Sequence, residues 1–452
     1  MSVALCCAIA AQAYAETESV SFFKDIAPIL RANCVGCHRQ DKAKGKLDLS
    51  TFDALMKGGE EGDDIVTGKP DESLLVKQIT GPEPEMPAKG EPLSTQQVAL
   101  IARWIAQGAK NDTPTEKNGD DQPLTPPVYQ TPPVIAAMAY SPDGKLLALG
   151  GYHEILLHKA DGSALVGRLV GEAPRIEALA FSPDGEHLAA CGGAPGLFGQ
   201  VQVWNVKSHK LEHAYRVGKD SLYGLSLSPD GQTLAVGGAE KIVRQIRISD
   251  GKQLLDFRAH ADWVRATAFT ADGKQLVSAG RDKAMKLIDL ATGRFVDDIN
   301  NPLEPIVCLA RDPARKMIAY GGAQGTARIY NISDNQKRTA GRNDTNLFKA
   351  FERLSSPITA VCFSTDGKQL AVGADGEARV YDVDSGNRLF ILSGFEGPVY
   401  AIRYSPDGQT IAAAGYDGIV HLFNAEHGES VRSFVPAPIQ RKPDSLKAAL
   451  RR

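Results

Sequence analysis

The sequence is short of net charge, of long apolar runs and of cysteine, and each shortage removes a class of protein. Lys and Arg total 51 against 54 Asp and Glu, a net charge of −3. No basic surface of the kind that draws a protein to a phosphate backbone is implied, and nucleic acid is not an expected partner. After the N-terminus no stretch reaches about 18 consecutive apolar residues, so no membrane span is expected. The seven cysteines do not require disulfides. No Ser/His/Asp order, phosphate-binding glycine loop or paired-carboxylate pattern rises above chance in a chain this rich in Gly and Asp, so no catalytic residue is assigned. A disordered chain is excluded too, by 43% hydrophobic residues at low net charge. At 452 residues the chain is too long for one ordinary core and suggests two or more domains.

Residues 1–15 form an apolar, small-residue run ending Ala13-Tyr14-Ala15, the Ala-x-Ala pattern of a secretory cleavage site. Export, to the periplasm or beyond, is the expected fate. No Lys or Arg precedes the run and the run is short, as a truncated start would give, and Leu5 before Cys6-Cys7 fits a lipoprotein signal poorly. Cys191, Cys308 and Cys362 fall in strand-like segments, where a free thiol behaves as a small apolar residue. An odd number leaves at least one unpaired, unless it pairs between chains.

What is present is Cys34-Val35-Gly36-Cys37-His38. Cys-x-x-Cys-His receives a c-type haem: two sulfurs add to the vinyl groups and the histidine gives an axial nitrogen to iron. Half a zinc site would need further ligands, and no Cys or His lies between His38 and His153. A thioredoxin-like pair would start a helix, whereas here helix-like sequence precedes the pair. Phe22, Ile26, Ile29 and Leu30 recur at helical spacing, with Pro28 kinking that helix or marking its start. Ser94 and Gln97 make a capping box, after which Val98, Ile101, Ala102 and Ile105 share a face until Gly108. Phe22, Phe23 and Trp104 read as packing residues. For the sixth ligand the candidates are Met56 and Met86. Met86-Pro87 lies in an extended loop that can present a thioether; Met56 reads as core filler on a short helix ending at Gly58-Gly59. His38/Met86 ligation of one covalently attached haem c is the expectation, and such a haem transfers electrons.

Phe23-Lys24-Asp25 with Pro28-Ile29-Leu30, the haem motif, Gly58-Gly59, Gly68-Lys69-Pro70-Asp71-Glu72-Ser73-Leu74-Leu75, Met86-Pro87 and Trp104-Ile105-Ala106-Gln107-Gly108-Ala109 resemble the planctomycete-type cytochrome c domain. The resemblance covers about Val20 to Lys110 and implies a small all-α c-type cytochrome over residues 16–110. It implies Cys34, Cys37 and His38 as haem-binding residues and Met86 as distal ligand, the metal being held by His38 and Met86. Ala88 departs from it, where a second proline is common. Residues 111–133, rich in Pro, Thr, Asp and Asn, read as a semi-extended linker.

After the linker the chain repeats itself. Ser141-Pro142-Asp143-Gly144, Ser182-Pro183-Asp184-Gly185, Ser228-Pro229-Asp230-Gly231, Thr270-Ala271-Asp272-Gly273, Ser364-Thr365-Asp366-Gly367 and Ser405-Pro406-Asp407-Gly408 recur at a basic period of about 41 residues. Asp312-Pro313-Ala314-Arg315 is a degenerate copy. The Asp-Gly pairs are turn chemistry, not metal ligands. Period and strand count predict an all-β propeller of roughly seven four-stranded blades over 134–440. Val203-Trp204-Asn205, Leu287-Ile288-Asp289, Ile329-Tyr330-Asn331, Val380-Tyr381-Asp382 and Leu422-Phe423-Asn424 resemble degenerate Trp-Asp positions of WD40 repeats, and His260, Ser278 and Asp282 resemble the side-chain network that pins such a blade. Inserts are expected at Ala194 to Gln200 and Asp334 to Phe351, and 441–452 reads as a basic tail.

The chain therefore reads as a multidomain exported haem protein for single-electron transfer, with the WD40 propeller as docking surface for a redox partner protein. The alternative is an oxidoreductase with a second cofactor or substrate site in the propeller, as in cytochrome cd1 nitrite reductases. That would need histidines converging on such a site, and those outside the haem domain do not cluster. A structural propeller with a redox-sensing haem is a third reading that sequence does not separate from the first.

Overall fold

Phe22, Ile26, Ile29 and Leu30, the apolar face read from the sequence, are all buried in the computed structural model. The structure describes residues 19–38, 44–60, 62–88, 91–112, 124–301, 303–332 and 344–440. The expected signal at 1–15, the tail at 441–452, linker residues 113–123 and insert residues 334–343 lie outside them. The chain divides into two units, 1–122 and 123–452.

The first unit is helical. A π-turn at Phe22–Ile26 runs into α1, Ala27–Asn33. The sequence suggested that Pro28 kinks this helix or marks its start, and α1 does begin beside it, because Pro28 has no N–H for the preceding turn. The Asp25 and Ile26 amides instead share the Ser21 carbonyl, at 3.0 and 3.3 Å. Then follow α2, Phe52–Lys57, α3, Leu74–Ile79, and α4, Thr95–Ala106. The capping box closes as read: Gln97 N–H donates to Ser94 Oγ at 3.3 Å, and Ser94 N–H to Gln97 Oε1 at 2.9 Å. Ile101, Trp104 and Ile105 of α4 are fully buried. Trp104 packs on Phe22, with ring centroids 5.3 Å apart, and its indole N–H donates to the Lys110 carbonyl at 3.0 Å.

The second unit is built from six sheets of four to seven antiparallel strands. The largest contains β1 to β7: Met138–Tyr140, Leu146–Gly150, Tyr152–Lys159, Leu165–Phe181, His187–Ala194, Phe198–Asn205 and Lys210–Gly218. Five four-stranded sheets follow, whose first strands are Leu222–Leu227, Val264–Phe269, Ile306–Arg311, Ala360–Phe363 and Val399–Tyr404. The repeated turn explains the repetition. At Ser141 the hydroxyl donates to Asp143 at 2.7 Å and accepts from Leu146 N–H, while Asp143 accepts from Lys145 N–H and Gly144 takes φ of 69°. The same Ser or Thr to Asp bond recurs at Asp184, Asp230, Asp272, Asp366 and Asp407. In the degenerate copy the Asp312 carboxylate takes over, accepting from Ala314 and Arg315 N–H.

The first and last sheets meet through packing of Ile135, Met138 and Leu149 against Ala412, Val420 and Leu422. Short tethers reinforce that seam. Gln440 N–H donates to the Tyr129 carbonyl at 2.9 Å, and the buried His158 sets its Nε2 2.8 Å from the Pro436 carbonyl. His260 bonds Asp282 and Ser278, each at 2.8 Å. Elsewhere Arg–Glu pairs pin the sheets, among them Arg168–Glu154 and Arg244–Glu240. Cys191 is buried, as a structural thiol should be, whereas Cys308 and Cys362 are only half-buried.

Candidate functional site

The end of α1 builds the Cys-x-x-Cys-His turn. Cys34 and Val35 N–H groups both return to the Leu30 carbonyl, at 2.8 and 3.0 Å, which ends the helix. The Cys37 and His38 amides then both donate to the Cys34 carbonyl at 3.1 Å, winding Cys34 to His38 into one tight turn, and Leu49 N–H anchors the His38 carbonyl at 3.0 Å. Cys34 and His38 are half-buried and Cys37 is exposed; both thiols are free.

Burial pushes the Cys34 thiol up to about 11. A dithiol redox pair needs a stabilised thiolate, as at a helix N-terminus, and here the pair follows a C-terminus, whose dipole disfavours an anion.

Met86 lies in a loop between α3 and α4, joined to Pro87 by a cis peptide, and its N–H donates to the Gln78 carbonyl of α3 at 2.9 Å. It is half-buried against the same core that takes Cys34 and Val35. Met56 also reaches that core, from the last turn of α2, which Thr51 caps and Gly58 ends with φ of 75°. Val35, Leu47, Phe52, Val98 and Leu100 complete a half-buried apolar rim. These residues fit a c-type haem: two unbridged thiols three apart on one turn, an adjacent imidazole, and a loop thioether on a shared apolar core. Cys34, Cys37 and His38 would hold it, with Met86 as the thioether candidate.

The second unit carries a cavity of about 1140 Å³. Its walls are the first strand of each four-stranded sheet, the second half of β4, residues 127–134, 136 and 137 ahead of β1, and residues 150–152 where β2 meets β3, so it lies where those strands converge. Arg175, Glu177, Tyr223, Arg265, Tyr400 and Arg403 give it its chemistry. Arg265 lies over the Tyr223 ring at 4.5 Å, Tyr223 stacks on Trp263 at 5.5 Å, and Arg281 covers Trp263 at 4.6 Å. Burial pushes the Glu177 carboxyl up, against the pull of Arg265 and Arg175. Among the described residues no histidine lines this cavity. The sequence reading missed these residues, although Glu177, Tyr223, Arg265 and Tyr400 each sit five residues before a repeated turn. Asp184, Glu186 and His187 bring ligand-type atoms within 4.8 Å, but Asp184 is committed to Ser182 and to Glu186 N–H, and His187 to Glu212.

Comparison with known proteins matches both parts. The family model described as nucleolar protein 10-like, N-terminal domain, a β-propeller, matches residues 174–443. The model described as planctomycete cytochrome C matches 34–90. Similar curated proteins include angio-associated migratory cell protein from Canis lupus familiaris, 24% identical over 52% of this chain and 52% of that protein. The U3 small nucleolar RNA-associated protein 15 homolog of Xenopus tropicalis is 25% identical over 48% and 40%, and WD repeat-containing protein 82 of Drosophila melanogaster 26% over 44% and 62%. The chain spans about half the length of the curated relatives it matches.

Proposed function

Because the chain belongs to the nucleolar protein 10-like β-propeller family and carries a planctomycete cytochrome c domain ahead of the propeller, we propose that it is an exported single-electron carrier whose propeller docks a redox partner protein. Haem c, when bound, supplies reversible one-electron chemistry at iron. Cys34 and Cys37 would hold it through their sulfurs, and His38 and Met86 would supply a nitrogen and a sulfur to the iron. Phe22, Phe52 and Trp104 stiffen the unit, with Phe22 and Phe52 edge to face at 5.1 Å. The observation that carries the reading is that the Cys34 to His38 turn and the Met86 loop abut one buried core. We also propose that the six sheets make seven blades, with β4 serving as two strands: its first half pairs with β3 and its last residues, from Arg175, with β5.

The test is to express the chain with haem-maturation machinery and record oxidised and reduced spectra with a pyridine haemochrome count. One haem per chain is expected, with a methionine-to-iron charge-transfer band that Met86→Ala abolishes while the haem stays attached. A second chromophore, a haem that readily binds carbon monoxide, or a band unchanged in Met86→Ala would overturn the assignment.

A further inference from the structure

Five of the cavity-lining strands each set one side chain free of the ladder, whereas Ala360–Phe363 pairs in unbroken register. Pairing register slips across Glu177, Tyr223, Arg265, Val307 and Tyr400. Each lies five residues before the residue that opens its turn: Ser182, Ser228, Thr270, Asp312 and Ser405. A bulged residue has no partner across the ladder, and its side chain is re-aimed. All five line the cavity.

The charge of that wall is one-sided. Arg175, Arg265 and Arg403 face a single lining carboxylate, Glu177, in a chain whose net charge is −3. None of the three arginines is ion-paired among the described residues. Arg265 is held on the Tyr223 ring, which fixes its guanidinium before any ligand arrives. Counted back from their turns, Arg175 lies seven residues before Ser182, Arg265 five before Thr270 and Arg403 two before Ser405. At about 3.3 Å per residue the three cations are staggered over roughly 16 Å along the strand direction. A compact anion meets one of them; an extended chain carrying acids at intervals meets all three. The volume of about 1140 Å³ exceeds the ~300–1,000 Å³ of most small-molecule pockets, and Arg beside Tyr is the composition of a peptide anchor.

We propose that the axial cavity anchors an acidic, extended segment of a partner protein, whose carboxylates Arg175, Arg265 and Arg403 receive. The proposal rests on the reading of the propeller as a docking surface and gives the partner its chemistry.

The test titrates the full, haem-loaded chain into a fluorescent peptide of about eight residues, half of them Asp or Glu, long enough to span the three cations. Its Asn/Gln counterpart runs in parallel, read by anisotropy. The acidic peptide binds at least about tenfold tighter than the amide form, and Arg265→Gln and Arg403→Gln each weaken it about tenfold. Arg294→Gln, on an exposed outer strand, leaves it unchanged. Equal binding of the two peptides, binding of neither, or Arg265→Gln and Arg403→Gln matching Arg294→Gln would overturn the proposal. Displacement by phosphate or citrate as effective as by unlabelled peptide would overturn it in favour of a compact-anion site. Far-UV circular dichroism checks folding, and if Arg403→Gln fails to fold, the exposed Arg175→Gln replaces it. Haem spectra of the same samples separate the two readings. Peptide binding without haem loading sinks electron transfer and keeps the cavity; an intact haem without peptide binding does the reverse.

Discussion

Gly280→Ala should destabilise the propeller more than a glycine-to-alanine change normally can. Gly280 ends the strand Gln275–Gly280, and a Cβ there would lie 2.0 Å from the Trp263 carbonyl oxygen. An ordinary carbon–oxygen contact is about 3.3 Å, so the loop must retreat by more than an ångström. The obstacle is backbone, with no side chain to swing away. That carbonyl also accepts the Arg281 N–H at 2.9 Å, which the retreat breaks. Overpacking costs ~1–3 kcal/mol and the lost bond about 1, offset by ~0.4–1 from the stiffer unfolded chain, for a net loss of about 1–3.6 kcal/mol. Because Trp263 carries Tyr223, and Tyr223 carries Arg265, the same change should weaken acidic-peptide binding. Urea denaturation followed by far-UV circular dichroism measures the first effect and anisotropy the second. The corresponding place in another sheet, ten residues past Ser364, is held by Ala374, so Ala374→Gly is the control, with a cost of ~0.5–1 kcal/mol expected from backbone entropy. A Gly280→Ala loss below about 1 kcal/mol would refute the steric argument, showing a loop that yields as freely as the one beside Ala374.

Burial holds the His158 imidazole below its ordinary value, so as pH drops below about 6.5 the unfolded chain takes up a proton before the folded one. Stability should fall as pH descends from there to the lower folded-state value, and His158→Gln should flatten that slope in denaturation curves taken across the window; His421, shifted the same way by burial, leaves a residual slope. In the haem-free chain Cys34, half-buried and pushed up to about 11, should alkylate with iodoacetamide at mildly alkaline pH well behind the exposed Cys37. Peptide mass spectrometry of timed samples measures this, and equal rates would refute the burial of Cys34.

The turns and the capping box were legible because they are local chemistry. Ser141, Asp143 and Gly144 satisfy one another within five residues, and Ser94 and Gln97 within three, so spacing alone exposes them. The π-turn at Phe22–Ile26 was not legible, since it depends on which carbonyl two competing amides choose. Nor was the Arg168–Glu154 pair, because those partners lie 14 residues apart and only the sheet brings them together. Glycine at a fixed place was visible but unread. Gly151, Gly192, Gly238, Gly280, Gly322 and Gly415 each lie ten residues past the opening residue of their turn, and at Gly192, Gly238, Gly280 and Gly415 a Cβ would strike a backbone carbonyl.

These two kinds of position divide the repeat between fold and function. Turn serines, their aspartates and the strand-end glycines are held by contacts inside their own repeat or with the adjoining loop, so their identity reports geometry and varies little along the chain. The bulged residue has no ladder partner, and its side chain leaves the sheet for the cavity, so the fold places almost no demand on what it is. Glu177, Tyr223, Arg265, Val307 and Tyr400 accordingly share an offset while ranging over an acid, a base, an aliphatic and two tyrosines. A position that the scaffold leaves open, in a wall where three arginines, none ion-paired among the described residues, outnumber one acid, takes its identity from what enters the cavity.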